Sequence, residues 1–345
     1  MSTTVRVRRR DDLWVIAPDD APTVVDDTAG VDVLVLEVAG GHLTWSLLAG
    51  QVTPAAVLDD IALAQEWIWA VYGPEVSLAL DTTGTEGASG TEGEFQSEPA
   101  LPDLAARAWR LGYARWAARW WPASTLDGIA PLDESLLEDE IATLSEECDL
   151  ILDGADAVAE ERTPAEALGR AEDYALAAGP AAIVAPGALV LTRGTAGWDW
   201  HRCPPGLLDA SERAVSWEVV REAGATIVRV SAVAAPLSAA DVPAHLHPRA
   251  AIGTATDAAD VPLSRDGDLW RAETTAPAGA EAGVTVRVYV PGVGVDEQEP
   301  DAATRRARIR ELVTARLRRT VDAADTSVDA PLLAEIAAAA SDSDF

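Results

Sequence analysis

The sequence predicts a multi-domain α+β protein, with a small N-terminal α/β unit, a helical middle region, and a C-terminal antiparallel β-sandwich followed by a basic helix. Three observations lead there. Trp109, Tyr113, Trp116 and Trp120 recur at spacings of 4, 3 and 4, which is one face of a helix. From residue 180 onward, seven short runs rich in β-branched residues alternate with turn signals. Between the first unit and the helical region, residues 82–99 are dominated by glycine, threonine and glutamate, which offer little to bury. The expected divisions are residues 1–81 as the α/β domain, 82–102 as a flexible acidic linker or loop, and 103–179 as the helical region. Residues 180–296 follow as the sandwich-like domain, and 297–345 as the basic helix and tail.

In the first unit, Leu13 to Ala17 reads as a strand, as does the β-branched run Val31 to Val38. Gly40-Gly41 turns the chain into a further strand, in which Leu43, Trp45 and Leu47 alternate. Thr53 followed by Pro54 reads as a helix cap and first-turn proline, predicting a helix to Tyr72, where Gly73-Pro74 stops it. Val76 to Leu80 is expected to be a strand.

The middle region predicts three helices. The first spans Asp103 to Trp120. The second starts near Asp133 or Ser135, where Ser135 and Glu138 fit a capping box, and buries Leu137, Ile141, Leu144, Cys148 and Ile151. The third opens at Thr163-Pro164 and closes at Gly179-Pro180. The seven expected strands are 188–192, 214–220, 226–234, 250–256, 261–264, 268–275 and 283–290. A basic helix over 301–321, with Ile309, Leu312, Val313 and Leu317 on its apolar side, and a short alanine-rich helix complete the expected elements.

Charge narrows the function classes. The chain of 345 residues carries 57 acidic and 26 basic residues, a formal net charge of −31. All basic residues are arginine, and neither lysine nor asparagine occurs. The negative field argues against nucleic acid or an anionic membrane as a partner. Missing lysine removes Schiff-base chemistry and the phosphate-binding Gly-Lys loop. No apolar run follows the N-terminal arginines as a secretory signal requires, and no apolar stretch approaches about 18 residues. Two cysteines do not make a disulfide framework, so a cytoplasmic location is expected.

The arginines cluster. Arg6, Arg8, Arg9 and Arg10 form one group, Arg107, Arg110, Arg115 and Arg119 a second, and seven residues between Arg305 and Arg319 a third. Residues 133–173 hold 15 acids and two arginines, which invites pairing with the basic helices, within one chain or between copies. Arg119, Arg305, Arg306, Arg308 and Arg310, with Trp121 as an exposed anchor beside Pro122, are the candidate partner-binding residues. His201, Cys203, His245 and His247 are the candidate metal ligands, because one thiolate and three imidazoles suit tetrahedral zinc. No catalytic or cofactor-binding motif stands out.

Arg119-Trp-Trp-Pro-Ala-Ser124, then Asp127-Gly-Ile129 and Leu132-Asp133, resembles a pattern in uncharacterised proteins of high-GC Gram-positive bacteria. That resemblance brings no activity with it. The expected function is therefore a non-catalytic interaction or scaffold subunit of a multi-component bacterial assembly, antiviral defence being one such setting. Its partners would be other protein subunits or a second copy of the chain. One alternative is a metal-dependent hydrolase using the His201/Cys203/His245/His247 cluster. The other is an acidic mimic of nucleic acid.

Overall fold

A computed structural model describes residues 2–26, 30–80, 91–152, 188–236, 242–294, 301–319 and 329–341. The helix expected over 163–179 lies outside the described residues. Among them the fold is mixed α+β, with seven helices and three sheets, all antiparallel.

The first sheet has six strands: β1 (Thr3–Arg10), β2 (Leu13–Ala17), β3 (Val33–Val38), β4 (Gly41–Ser46), β5 (Ala55–Leu58) and β6 (Gly93–Ser97), ordered β3-β4-β5-β2-β1-β6. Strand β1 alternates buried Val5 and Val7 with outward arginines, the period-2 pattern of a half-buried strand. Residues 93–97, inside the segment read as a linker, pair with β1, setting Arg6 opposite Glu94 with an ion pair at 2.8 Å.

Two further elements differ from expectation. Ala55–Leu58 is a strand rather than the start of a helix, lying between β4 and β2 with all four residues buried. A short strand buried on both faces reads as a continuous apolar run, which periodicity cannot separate from helix. The cap is Asp60, whose carboxylate accepts the amides of Ala62 and Leu63 to begin α1 (Ile61–Tyr72). Val76 to Leu80, expected as a strand, falls mostly in helix α2 (Pro74–Ala79), started by Pro74 after Gly73. A side chain at Gly73 would collide with the carbonyl of Glu98, and its φ of 88° favours glycine.

Helix α3 (Pro102–Trp120) matches the expected aromatic stripe. Trp109, Tyr113 and Trp116 are buried and stacked, with successive ring centroids 5.5 and 5.6 Å apart. Trp116 donates its indole N–H to Val31 O at 2.7 Å, tying α3 to the entry of β3. Helix α4 (Glu134–Glu147) is capped by Asp133, and α5 (Asp149–Leu152) continues it.

Of the seven strands expected after residue 180, six are present as β7 (Leu189–Ala196), β8 (Val215–Glu222), β9 (Ala225–Val233), β10 (Arg249–Gly253), β13 (Leu269–Thr275) and β14 (Thr285–Tyr289), whereas 261–264 falls across the end of β11 (Ala258–Pro262) and the start of the strand after it. One more, β12 (Ser264–Asp266), joins them. They form a five-stranded sheet, β12-β13-β9-β8-β7, and a three-stranded sheet, β11-β10-β14. Helix α6 (Ala302–Leu317) buries Ile309 and Val313, and α7 (Leu333–Ser341) packs against α4 and α6. No helix among the described residues is long and apolar enough to cross a membrane.

Candidate functional site: two arginine–carboxylate hubs

The arginine clusters meet acids of the same chain. On α3, Arg110 reaches Glu140 of α4 at 2.5 Å and donates to the carbonyls of Ala330 and Pro331, each at 3.0 Å. Glu140 sits one helical turn after the buried Leu137, so its carboxylate is carried inward and needs a partner. On α6, Arg316 grips Glu335 of α7 through two hydrogen bonds of 2.7 and 2.8 Å, the bidentate geometry open to a guanidinium. Tyr113 adds its hydroxyl to Glu335 at 2.7 Å, and the Arg316 guanidinium lies 4.3 Å from the Tyr113 ring centroid. Burial pushes the Tyr113 phenol well above its ordinary pKa, reinforced by the charge of Glu335. Burial opposes the charge on Arg316 most strongly of any one effect, but the hydrogen bonds to Glu335 and the electrostatic pull of Tyr113, Glu335 and Asp329 together exceed it and hold its pKa above the usual value.

A second hub surrounds Asp209, which is fully buried. Its carboxylate accepts from Ser124 Oγ at 2.7 Å, Thr125 N at 2.8 Å, Ser211 N at 2.9 Å and Thr125 Oγ1 at 3.1 Å. The segment 124–129 is folded around it by reciprocal main-chain hydrogen bonds between Ser124 and Ile129, with Gly128 at φ 66°. Of these donors, Ser124 belongs to the stretch quoted from the sequence, while Thr125 and Ser211 lie outside it. Next to it, Arg306 of α6 grips Glu212 at 2.7 and 2.9 Å, and Arg310 reaches Glu212 at 3.1 Å and Asp127 at 3.4 Å.

The candidate partner-binding residues therefore have different surroundings. Arg305 pairs with Asp32 at 3.2 Å, while Arg306 and Arg310 are used inside the molecule. Arg308 is exposed and forms no ion pair with a described residue. Arg119 is exposed, with its guanidinium 5.1 Å from the Trp120 ring centroid. Trp121 is not an exposed anchor. It is half-buried against the core and donates its indole N–H to Ala130 O at 2.9 Å, because the chain leaving α3 folds back over it.

The candidate metal ligands are not brought together. His201 packs edge-on against Trp120, with ring centroids 5.4 Å apart, and its Nδ1 lies 3.5 Å from Asp199 Oδ1. Burial is the largest single influence on the Asp199 carboxyl and pushes its pKa up, but the hydrogen bonds from His201 and the nearby charge of Arg306 act together to leave it lowered. Cys203 is buried, which drives its thiol pKa far up and disfavours the thiolate that zinc needs. His247 packs on Trp270, its Nε2 2.9 Å from Val242 O, and His245 is exposed. No group of three or more His, Cys, Asp or Glu side chains among the described residues is placed to hold a metal ion.

Sequence reasoning missed Glu140, Asp209, Glu212 and Glu335 as the receivers of the arginines. A signal was present, since Glu140 falls in the apolar stripe of α4, Asp209 follows Leu207-Leu208, and Glu335 lies among alanines and leucines. It also missed Trp69, which stands 45% exposed on the outer face of α1, where Leu63, Glu66 and Trp69 recur every three residues. Comparison with protein-family models, curated proteins and solved structures found no match.

Proposed function

We propose that this chain is a non-catalytic interaction subunit of a multi-component bacterial assembly, working in the cytoplasm through contacts with other protein subunits. The observation carrying this reading is Trp69. A large aromatic held outward on a helix already packed through Trp67, Ile68 and Val71 loses little freedom on binding and offers much apolar area. Leu63 is exposed on the same helix and Leu78 on the next helix, α2. The two free cysteines support a reducing compartment. We also take the two C-terminal sheets to be the layers of a sandwich, a reading supported by the burial of Val228 and Val230 on one sheet and of Ile252 and Val288 on the other.

Size-exclusion chromatography with light scattering, followed by capture from native extract, tests the proposal. Wild-type chain is expected to hold a partner that the Trp69→Asp chain releases. A monomer that captures nothing, or capture unchanged by Trp69→Asp, would overturn it.

A further inference from the structure

The surface beneath α7 has the hydrogen-bonding pattern of a peptide-recognition groove with walls from α3, α4 and α6. Two arginines address main-chain carbonyls. Arg110 reaches Ala330 and Pro331, and Arg316 reaches Asp329 at 3.1 Å and Ala330 at 3.3 Å. Glu140 accepts the Leu333 amide at 2.7 Å, satisfying one of the free N–H groups at the start of α7. Two of its larger side chains are held deeply, beside the fully buried Ala334 and an Asp329–Arg319 ion pair at 2.9 Å. Leu332 is fully buried, and Glu335 enters the Arg316–Tyr113 clamp. Main-chain contacts for affinity, with one apolar and one acidic side chain for selection, are how grooves recognise peptides.

The segment behaves chemically as a ligand. At nine residues, α7 is too short to be a stable helix alone in water, so the groove supplies its helicity. All its charged anchors lie between Asp329 and Glu335, and four of the five residues after Ile336 are alanines with little apolar area to bury. Breaking one clamp therefore loosens the whole segment. Beneath it lie Arg110, Tyr113 and Arg316, the residue types enriched where proteins bind tightly.

We propose that this groove is a recognition site for a helical segment carrying Leu and Glu three residues apart, and that residues 329–341 are its resident occupant, detachable as a unit and able to seat in trans on another copy's groove. The proposal rests on the interaction reading for its biological meaning, while the groove's chemistry stands apart from Trp69.

The test uses the full chain and a fluorescent peptide of residues 329–341. Glu335→Arg turns a positive charge on Arg316 and expels α7, leaving the groove intact. By anisotropy, the wild-type peptide is expected to bind that chain about tenfold or more tightly than wild-type chain, whose tethered segment competes at high effective concentration. A peptide carrying the same Glu335→Arg change is expected to bind neither. A folded Glu335→Arg chain that fails to bind the wild-type peptide overturns the proposal. If that variant does not fold, hydrogen exchange of the wild-type chain decides: amides of 333–341 are expected to exchange about tenfold or more faster than those of α3 by local opening. Equal protection overturns the proposal. Peptide binding without partner capture removes only the assembly reading, and capture without peptide binding removes only the groove.

Discussion

Arg316 and Glu335 form a two-point ion pair in which the carboxylate is only 1% exposed. Glu335 also accepts the Leu332 amide at 2.7 Å, so one side chain joins α6, α3 and the entry of α7. Removing one member of such a pair leaves the other charged and without its partner. Glu335→Ala is expected to weaken α7 docking by about 3–5 kcal/mol. Replacing both, as Arg316→Met with Glu335→Leu, should restore only part of that, because the stranded charge is gone but the Tyr113 hydroxyl and the Leu332 amide still lose their acceptor. Hydrogen exchange of residues 333–341 measures both effects.

Arg306 and Arg308 lie on one helix, and opposite outcomes are expected for them. Arg306→Glu sets two carboxylates against each other at Glu212 and is expected to lower stability by about 3–5 kcal/mol, read from the urea midpoint. Arg308→Glu alters an exposed side chain and should leave stability within about 0.5 kcal/mol. Loss of association in the second variant would thus report on a surface contact, whereas loss in the first would report on unfolding.

Asp209 holds the 124–129 turn from within. Asp209→Ala strands donors on Ser124, Thr125 and Ser211 in a buried setting, where each unmade hydrogen bond costs about 1–3 kcal/mol. A loss of at least about 3 kcal/mol is expected in urea unfolding. Asp209→Asn should lose less, since its carbonyl oxygen still accepts from the turn.

Much of the fold was legible because alternation and helical spacing are local. Six of the later strands and α3 needed no knowledge of what they touched. Ala55–Leu58 was hidden because a strand buried on both faces has no alternation to read. Trp121 was misread because its burial comes from the chain folding back at Ala130. The hubs were legible in kind, since acidic and basic segments in one chain invite pairing. Their members were not. Apolar neighbours mark Glu140, Asp209 and Glu335 as inward without naming what they meet, and Glu212 receives an arginine 94 positions along the chain with no such neighbours to mark it.

Burial also protects both thiols. Cys148 is pushed up to about 11, first by burial and then by the negative charge of Glu147, and Cys203 is raised further. Native protein is expected to resist alkylation at pH 8 and to yield two reactive thiols only in denaturant. A raised pKa also has a sign for stability. The unfolded chain releases the Cys148 proton near the ordinary 9.0 while the folded chain retains it, so this contribution is intact below that pH and is lost as pH rises toward about 11. The urea midpoint should fall across that range, and fall less in Cys148→Ala.

The hydrogen bond between Tyr113 and Glu335 spans 222 positions of sequence. On the ribosome, at about 5–20 residues per second, Tyr113 waits on the order of ten to forty-five seconds for its acceptor to be made. Throughout that interval the face of α3 that will receive α7 is uncovered in a crowded cell. The nascent chain thus presents the buried ring of Tyr113 and the guanidinium of Arg110 well before it can cover them with α7.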